Sequence, residues 1–358
     1  MQQRNNSEQQ TSSYLEDKKT YPKIENKFAT QLSTLWSAEN MPKITLIIIC
    51  MLVATVMQAN FPRFLSGANM EVMLVNFVAE GVMALGMTIV MITGGIDISV
   101  AGVLQFAAII VGMLMNAGVS VPLAILLTLI ASAIIGWINA TVTSLFKVHP
   151  FITTLFTQLT LRGVNLVITQ GATVSGFPEE FSYLGQGHLF KIPTPWSGDN
   201  FGVRISLVLL GVLAIAIGYT LKNHRYFQQA YFIGGNRRSS RMSGINVKKF
   251  LTFAYILSAM LAGLAGIIVC SQHAAASVSF GQNSETRTIT AVAIGGTSFS
   301  GGTGTISGTV LGVLFLAMVR NAFNMTGVNT YWQDVITGLM LILAVFFGEY
   351  LKRKRIAR

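Results

Sequence analysis

The feature that most constrains this chain is a series of ten long apolar segments separated by polar stretches. They lie near residues 44–60, 71–93, 97–117, 121–146, 151–170, 203–221, 250–270, 286–299, 304–323 and 334–350. About 20 mostly apolar residues cross the hydrocarbon core of a bilayer. A soluble core does not need so many runs of that length. The pattern therefore predicts an all-α polytopic membrane protein with about ten (eight to ten) transmembrane helices.

The low content of charged residues also supports a membrane protein. Charged residues make up only 11% of the 358 residues, whereas soluble domains average roughly 25%. The formal net charge of +11 would indicate nucleic-acid binding in a soluble protein. In a membrane protein, however, basic residues collect in the cytoplasmic loops beside the spans. We therefore expect the lipid bilayer as the environment of this chain and no nucleic-acid partner.

The distribution of Lys and Arg predicts the topology. The polar tail 1–43 carries six of these residues, and the short tail 351–358 carries five. Loop 222–249 carries seven without any acid, whereas loop 171–202 holds three acids and one lysine. Both termini and loop 222–249 are therefore expected in the cytoplasm, and loop 171–202 outside. We predict a disordered tail over 1–43 rather than a signal peptide, a membrane domain over 44–350 and a basic tail over 351–358.

Two glycine-rich motifs interrupt the apolar segments. Residues 93–99 read Thr-Gly-Gly-Ile-Asp-Ile-Ser, and residues 294–300 read Ile-Gly-Gly-Thr-Ser-Phe-Ser. Both contain Gly-Gly-x-x-apolar-Ser between two apolar runs. Paired Gly-interrupted helices are typical of internal repeats around a transport pathway and predict half-helices. A chance match in a chain with 34 glycines is the alternative interpretation.

Polar residues inside the apolar segments indicate a solvated path. Asp97 follows a Gly-Gly break, where it either caps the next helix or binds a solute. Glu80 and Glu285 need a partner, a proton or water at membrane depth, or a position at the interface, and Arg287 is a candidate partner for Glu285. Polar groups also hold helices together, which is the alternative role. The predicted pathway residues are Asn76, Glu80, Thr88, Asp97, Gln105, Asn139, Thr154, Gln158, Glu285 and Arg287.

Catalytic motifs are missing from the sequence. It contains no G-x-x-x-x-G-K-[ST] run, so the chain has no P-loop for ATP. Its four histidines are scattered, and Cys50 and Cys270 both lie in apolar segments. We expect no catalytic residue, no metal site, no disulfide and no cofactor in this chain.

Loop 222–249 combines basic and aromatic residues. Turn signals at Gly234-Gly235-Asn236 and Ser243-Gly244 predict a short basic helix over Arg237–Met242. The neighbouring aromatic residues supply an apolar surface to bury. Such a segment suits docking of a partner protein, and it also suits binding of anionic lipid head groups.

These motifs resemble those of the permease subunits of bacterial ABC importers of the ribose, galactose and xylose type. Residues 93–100 resemble the family segment TGGIDLSVG, and residues 149–154 resemble its PFI-TL segment. Residues 233–246 resemble the cytoplasmic loop with IGGN and SGIN, and residues 293–305 resemble the GGTS-GG-GT stretch. Residues 328–333 resemble its C-terminal partner. The motifs cover residues from about 70 to 350 in the family's order.

The resemblance implies a set of partners in the bacterial cytoplasmic (inner) membrane. The permease would form a dimer with a second copy or a paralogue, driven by separate ABC ATPase subunits that bind ATP and magnesium. A periplasmic or lipid-tethered sugar-binding protein would deliver the solute near loop 171–202. The ATPase would dock on loop 222–249 through Gly235, Asn236, Arg237, Arg238, Ser243, Gly244 and Ile245.

Three positions depart from the family pattern. Ala101 and Ala140 replace glycines, and Arg287 stands where the family has an aspartate. The change at Arg287 reverses a charge near the expected pathway. The identity of the solute is therefore undetermined, and an anionic solute is one of the alternatives.

We therefore expect a permease subunit, not an enzyme, that moves a monosaccharide or a related small polar solute by alternating access powered by separate ATPases. A self-contained secondary transporter or channel is the alternative, although an ion-coupling site usually needs several acids at the membrane midplane. A membrane scaffold or sensor, a third class, predicts no flux at all.

Overall fold

The computed structural model describes residues 41–194 and 197–356. These ranges contain thirteen helices and four short strands: α1 (Met41–Asn60), α2 (Gly67–Ile92), α3 (Val100–Asn116), α4 (Val121–Leu145), α5 (Pro150–Thr169), β1 (Val174–Ser175), α6 (Glu179–Gln186), β2 (His188–Pro193), β3 (Asn200–Arg204), α7 (Ile205–Asn223), α8 (Arg225–Gly235), α9 (Arg237–Met242), α10 (Val247–His273), β4 (Ala275–Ala276), α11 (Ser284–Ile294), α12 (Ile306–Met325) and α13 (Thr330–Ile356). Residues 1–40 of the predicted tail 1–43 lie outside the described residues, and residues 41–43 belong to α1.

The chain is a mostly helical polytopic membrane protein. Seven described helices are long and apolar enough to cross a membrane, namely α1, α2, α4, α5, α7, α10 and α12. Every one of the ten predicted apolar segments overlaps one helix. Helix α11 has only 11 residues, or about 16 Å at 1.5 Å per residue, against a hydrocarbon core of about 30 Å. It ends at Ile294, and its C-cap is Gly295, where the Gly-Gly motif predicted a break.

Several helix bounds differ from the apolar segments. Helix α3 begins at Val100 rather than at residue 97, because residues 93–99 form the turn that the Gly-Gly motif encodes. Helices α10 and α13 run past their apolar segments, and α13 continues to Ile356 inside the predicted basic tail. Hydropathy marks only the part of a helix that suits lipid, whereas backbone hydrogen bonding continues through polar residues.

Helices α2 and α10 form the centre of the bundle. In their most apolar windows, 89% and 72% of the residues are buried, compared with 11% for α1. Small residues allow this close packing, as is usual between helices in lipid. A Cβ atom on Gly86 of α2 would lie 2.7 Å from the Cα of Ser258 on α10.

Helix α2 connects two opposite faces of the bundle. At its first residues lies an antiparallel hairpin, β2–β3, which pairs His188 with Arg204 and Lys191 with Gly202. We call this side the hairpin face. The last turn of α2 lies beside residues 224–246, and we call that side the loop face. Helix α12 runs antiparallel to α2, since its residue Asn321 bonds to Asn69 at the hairpin face.

Candidate functional site

A cavity of about 470 Å³ lies between α2, α10, α11, α12 and α13, toward the hairpin face. Its apolar wall comes from Met83, Leu104, Val269 and Phe280. The polar wall consists of amides, hydroxyls and ions on these helices and on the segment before α11, including Asn76, Glu80, Gln272, Gln282, Asn283, Arg287, Arg320, Gln333, Asp334 and Thr337. Such a mixed, concave lining is typical of small-molecule sites.

An ion cluster forms one part of this wall. Oε1 of Glu80 accepts a hydrogen bond from Nε of Arg287 at 2.6 Å and one from Nη1 of Arg320 at 2.7 Å. The Glu80 side chain is only 7% exposed. The cluster joins α2, α11 and α12 about halfway along α2. Charges at such depth need partners, and here each charge has one.

The cluster corrects one expectation about Arg287. The sequence suggested Glu285 as its partner, but the ion pair forms with Glu80, and Oε2 of Glu285 has no hydrogen-bond partner among the described residues. Arg320 was not among the predicted pathway residues. A single arginine inside the apolar segment 304–323 was the signal that could have identified it.

The formal charges in the cavity wall cancel. Glu80 and Asp334 carry two negative charges, and Arg287 and Arg320 carry two positive ones. Asp334 lies at the exposed rim, where its Oδ2 accepts a hydrogen bond of 3.1 Å from the amide of Asn283. The cavity therefore presents donors and acceptors without an excess of either charge.

A second polar cluster surrounds Asp97. Its Oδ1 accepts a hydrogen bond from the backbone N–H of Ser99 at 3.1 Å, and its Oδ2 accepts one from Oγ of Ser258 at 2.8 Å. The amide of Asn139 donates to Ser99 and accepts from Thr157. Ser99 is the N-cap residue of α3, so the N–H that Asp97 accepts from precedes the helix, and the capping interpretation stays a prediction. All five residues are buried, so the cluster connects helices rather than facing a cavity.

The predicted pathway residues on α3 and α5 lie in helix contacts. Oγ1 of Thr154 accepts a hydrogen bond of 3.1 Å from the N–H of Ile98, and Oε1 of Gln158 accepts one of 2.5 Å from the N–H of Gly102. Gln105 is 3% exposed, and its Oε1 has no partner among the described residues. The structure thus places these three side chains between helices.

Only three of the ten predicted pathway residues line the cavity together, namely Asn76, Glu80 and Arg287. Thr88 lies deeper, where its hydroxyl bonds to Thr309 of α12 at 2.7 Å. The others lie outside the cavity wall in the state that the structure describes.

The predicted basic helix is present at the loop face. Helix α9 has the predicted bounds Arg237–Met242, and Oδ1 of Asn236 caps it by accepting hydrogen bonds from the N–H groups of Arg238 and Ser239. Of the predicted docking residues, Arg237 and Ile245 are half-buried. The rest are exposed, namely Gly235, Asn236, Arg238, Ser243 and Gly244.

The preceding helix, α8, was not predicted. Its aromatic residues pack on α10, with the Tyr226 ring 5.3 Å from the rings of Phe250 and Phe253. The aromatic residues predicted an apolar surface here, but no helix. The contact fixes α8 to the centre of the bundle, while Phe232 stays 60% exposed.

The two Gly-Gly motifs meet at the loop face, and residues before α9 join them. The N–H of Gly302 donates to the carbonyl oxygen of Ile92 at 2.8 Å. A Cβ atom on Gly301 would lie 2.7 Å from the nitrogen of Gly94, and one on Gly234 would overlap the Ile92 carbonyl oxygen. We call Gly94, Gly234, Gly301 and Gly302 the glycine junction. The two motifs themselves touch where a Cβ atom on Gly94 would lie 3.6 Å from the carbonyl oxygen of Ser300, and Ile92, Gly301 and Gly302 directly flank them.

Comparison with known proteins identifies the relatives of this chain. Residues 69–345 match the family model "Branched-chain amino acid transport system / permease component". Ribose import permease protein RbsC of Escherichia coli (strain K12) is 36% identical over 319 residues, which cover 87% of this chain and 93% of that one. RbsC of Bacillus subtilis (strain 168) is 34% identical over 291 residues, covering 80% and 87%.

A third relative is named for a different substrate. Autoinducer 2 import system permease protein LsrC of Photorhabdus luminescens is 31% identical over 271 residues, covering 75% of this chain and 78% of the relative. No solved structure matches the chain.

Proposed function

The chain belongs to this family of transport-system permease components, and we propose that it imports a monosaccharide or a related small polar solute by alternating access. It is the membrane permease subunit of an ATP-driven importer in the bacterial cytoplasmic membrane, and it is not itself an enzyme. An importer permease of this kind works with ATPase and substrate-binding partners.

The observation that carries the solute class is the lining of the cavity. Its volume of about 470 Å³ suits a small molecule, and its amides and hydroxyls match the hydroxyl groups of a sugar. Because Glu80 and Asp334 balance Arg287 and Arg320, the wall favours a neutral solute over the anion that Arg287 alone suggested. Two of the relatives are named as import permeases for ribose and for autoinducer 2, which supports the same class.

We propose that the loop face is cytoplasmic and the hairpin face external. The seven basic residues of loop 222–249 support this orientation through the positive-inside rule. Ten crossings, with α11 and residues 295–305 together counted as one, then place both termini in the cytoplasm. The cavity would open to the outside in this state.

The same orientation assigns the partners. The ATPase, with its ATP and magnesium, would dock on the exposed residues around α9, and a sugar-binding protein would approach residues 171–202. A second permease, either another copy or a paralogue, would complete a dimer. The exposure of Arg238 and Gly244 supports the docking assignment.

Purification of the tagged chain in mild detergent, followed by mass spectrometry, tests this proposal. We expect a P-loop ATPase to co-purify and to be reduced by about tenfold or more in Arg238→Glu, because like charges at an interface cost several kcal/mol. Lys249→Glu makes the same charge change at an exposed position outside the docking residues. An intact chain without any ATPase would contradict the proposal.

Uptake of labelled ribose into cells expressing the chain and its partners tests the energy source. We expect uptake to stop on ATP depletion and to continue with a protonophore. The opposite pattern would favour the self-contained secondary transporter.

A further inference from the structure

We infer that Glu80 is the residue of this permease that selects the solute. Its second carboxylate oxygen, Oε2, accepts hydrogen bonds from two hydroxyl groups on adjacent carbon atoms, and free N–H groups of Arg287 and Arg320 donate to the same hydroxyls. This inference rests on the proposed function and deepens it, because it names the residue and the chemical group that meet in the cavity.

The two carboxylate oxygens of Glu80 differ in their contacts. Oε1 accepts the hydrogen bonds from both arginines, whereas Oε2 has no hydrogen-bond partner among the described residues. Glu80 lies in the cavity wall, and its Oε2 is not closed off by the protein, unlike Oε2 of Glu285. A charged oxygen at this depth needs a hydrogen-bond donor, because leaving it unpaired costs free energy. The cavity therefore presents an acceptor that water or a solute must satisfy.

The two arginines keep free donors beside this acceptor. Arg287 uses Nε for Glu80 and Nη1 for the carbonyl oxygen of Gln282 at 2.8 Å, and Arg320 uses Nη1 for Glu80. Nη2 of each arginine donates to none of the described residues, and both side chains line the cavity. Because both guanidinium groups bond to the same carboxylate, their free N–H groups lie close to its free oxygen.

An acceptor next to two donors suits hydroxyl groups, because a hydroxyl both donates and accepts. A carboxylate or phosphate dianion of a solute cannot donate to Oε2, and an ammonium group cannot accept from the guanidinium groups. One carboxylate oxygen accepts two hydrogen bonds, so hydroxyls on adjacent carbon atoms can share it. Hydrogen bonds to charged groups are also stronger than neutral ones. The cluster therefore favours a neutral solute with neighbouring hydroxyls, such as a sugar.

A purely structural role is the competing explanation, because buried ion pairs also hold helices together. That role predicts that a change at Glu80 alters the stability of the protein but not its preference among solutes. Selection predicts that the permease discriminates against a solute lacking one hydroxyl, and that this discrimination depends on Glu80. A ratio of uptake efficiencies separates the two, since it does not depend on how much permease reaches the membrane.

The experiment compares sugars with their deoxy analogues. Initial rates of uptake into cells expressing the chain and its partners give Vmax/KM for tritiated ribose, xylose and galactose, and for the 2-deoxy and 3-deoxy analogue of each. The selectivity ratio is Vmax/KM of a sugar divided by that of its analogue. We expect a ratio of about tenfold or more in the parent for at least one analogue of a transported sugar. A binding protein contributes the same factor in parent and variant, so a change in the ratio belongs to the permease.

In Glu80→Gln we expect the ratio to fall below about threefold, through a higher KM for the intact sugar, because an amide N–H replaces one acceptor oxygen. Glu285→Gln is the matched control, because it makes the same change at a half-buried acid outside the cavity wall, and its ratio should equal that of the parent. A parent ratio near one, or an unchanged ratio in Glu80→Gln, would overturn the inference. A parent that takes up none of the three sugars would refute the proposed function instead.

Arg320→Lys decides the question if Glu80→Gln does not accumulate. It keeps a positive charge beside Glu80 but removes the guanidinium fork with its free N–H groups. We expect the selectivity ratio to fall by about two- to threefold, because one donor to the solute hydroxyls is lost. An unchanged ratio in this variant would also overturn the inference.

Discussion

The two ends of α2 are held in different ways. At the hairpin face, the N–H groups of Gly67 and Ala68 donate to the two carboxylate oxygens of Asp199, both at 3.1 Å. Glu71, the fifth residue of α2, accepts a hydrogen bond of 2.6 Å from the N–H of Gly202 in the hairpin. Carboxylates suit this end, because the first N–H groups of a helix lack partners and carry partial positive charge.

At the loop face, α2 is held by backbone contacts and by one side-chain hydrogen bond, from Nη2 of Arg237 to the carbonyl oxygen of Thr93 at 3.3 Å. The N–H of Gly302 bonds to the carbonyl oxygen of Ile92, and Gly301 lies against the nitrogen of Gly94. Carboxylate contacts respond to pH and tolerate exchange of the side chain. Backbone contacts between glycines do not depend on pH, but one added methyl group disrupts them. Glycine also packs on backbone at the hairpin face, where a Cβ atom on Gly67 would lie 2.5 Å from the carbonyl oxygen of Asn200. The two ends therefore differ in the carboxylate contacts, which only the hairpin-face end has among the described residues.

The largest effect is expected at Glu80, where an ion cluster holds the middle of α2 between the two ends. Glu80→Ala leaves the guanidinium groups of Arg287 and Arg320 without their carboxylate. Breaking a buried ion pair from one side costs roughly 3–5 kcal/mol, and we expect a loss of that size in the free energy of unfolding. Denaturant unfolding of the purified protein measures it.

The control for this prediction is Glu179→Ala on the exposed surface of α6. We expect its free energy of unfolding to stay close to that of the parent. Equal stability of the two variants would show that the ion cluster does not hold the three helices together.

A smaller effect is expected at the glycine junction. Gly301 has a φ of +77°, which disfavours alanine by about 1–3 kcal/mol, and the added Cβ would also lie 2.7 Å from the nitrogen of Gly94. Gly118→Ala is the matched control, because Gly118 has a φ of +84° with open space at its Cβ position. Unfolding of both variants should show Gly301→Ala to be the less stable one at every pH. An equal loss of unfolding free energy in the two variants would mean that crowding at the junction does not contribute to stability.

Much of this architecture is local and could be predicted. Each apolar segment became a helix because hydropathy and backbone hydrogen bonding act within one segment. The bounds of α9 followed from Asn236 and Gly244, whose turn and capping preferences are also local. The pairing of the Gly-Gly motifs followed from their shared pattern, although their contact with Gly234 did not.

The ion cluster could not be predicted in the same way. Arg287 and Arg320 lie 207 and 240 residues from Glu80 in sequence, and only helix packing brings them together. The closer acid in sequence, Glu285, was the wrong partner for Arg287, because a contact between helices took precedence over proximity along one helix. The cap of α2 by Asp199, over 132 residues, is of the same kind.

The smallest effect is expected at Asp199, and it should depend on pH. Hydrogen bonds from the hydroxyls of Ser197 and Thr194, and from the N–H groups of Ala68 and Gly67, hold the pKa of Asp199 well below its ordinary value of 3.8. A lowered pKa in the folded state stabilises the fold fully above that ordinary value, and the stabilisation is lost as the pH falls below it toward the folded-state pKa.

Amide hydrogen exchange over the first turn of α2 measures this contribution. We expect Asp199→Asn to speed exchange at near-neutral pH, because the neutral amide is a weaker acceptor at a helix N-terminus. The exchange rate of the parent should approach that of the variant as the pH falls below the ordinary pKa of Asp199, after correction for intrinsic exchange, because protonation removes the same charge.

Glu180→Gln, which changes an exposed acid on α6, should leave exchange in this turn unchanged. Gly301→Ala should also leave it unchanged, since that substitution acts at the other end of α2. If amide exchange in this turn stays slow and independent of pH in Asp199→Asn, the hairpin-face end is held by packing rather than by charge. The contrast between the two ends of α2 would then disappear.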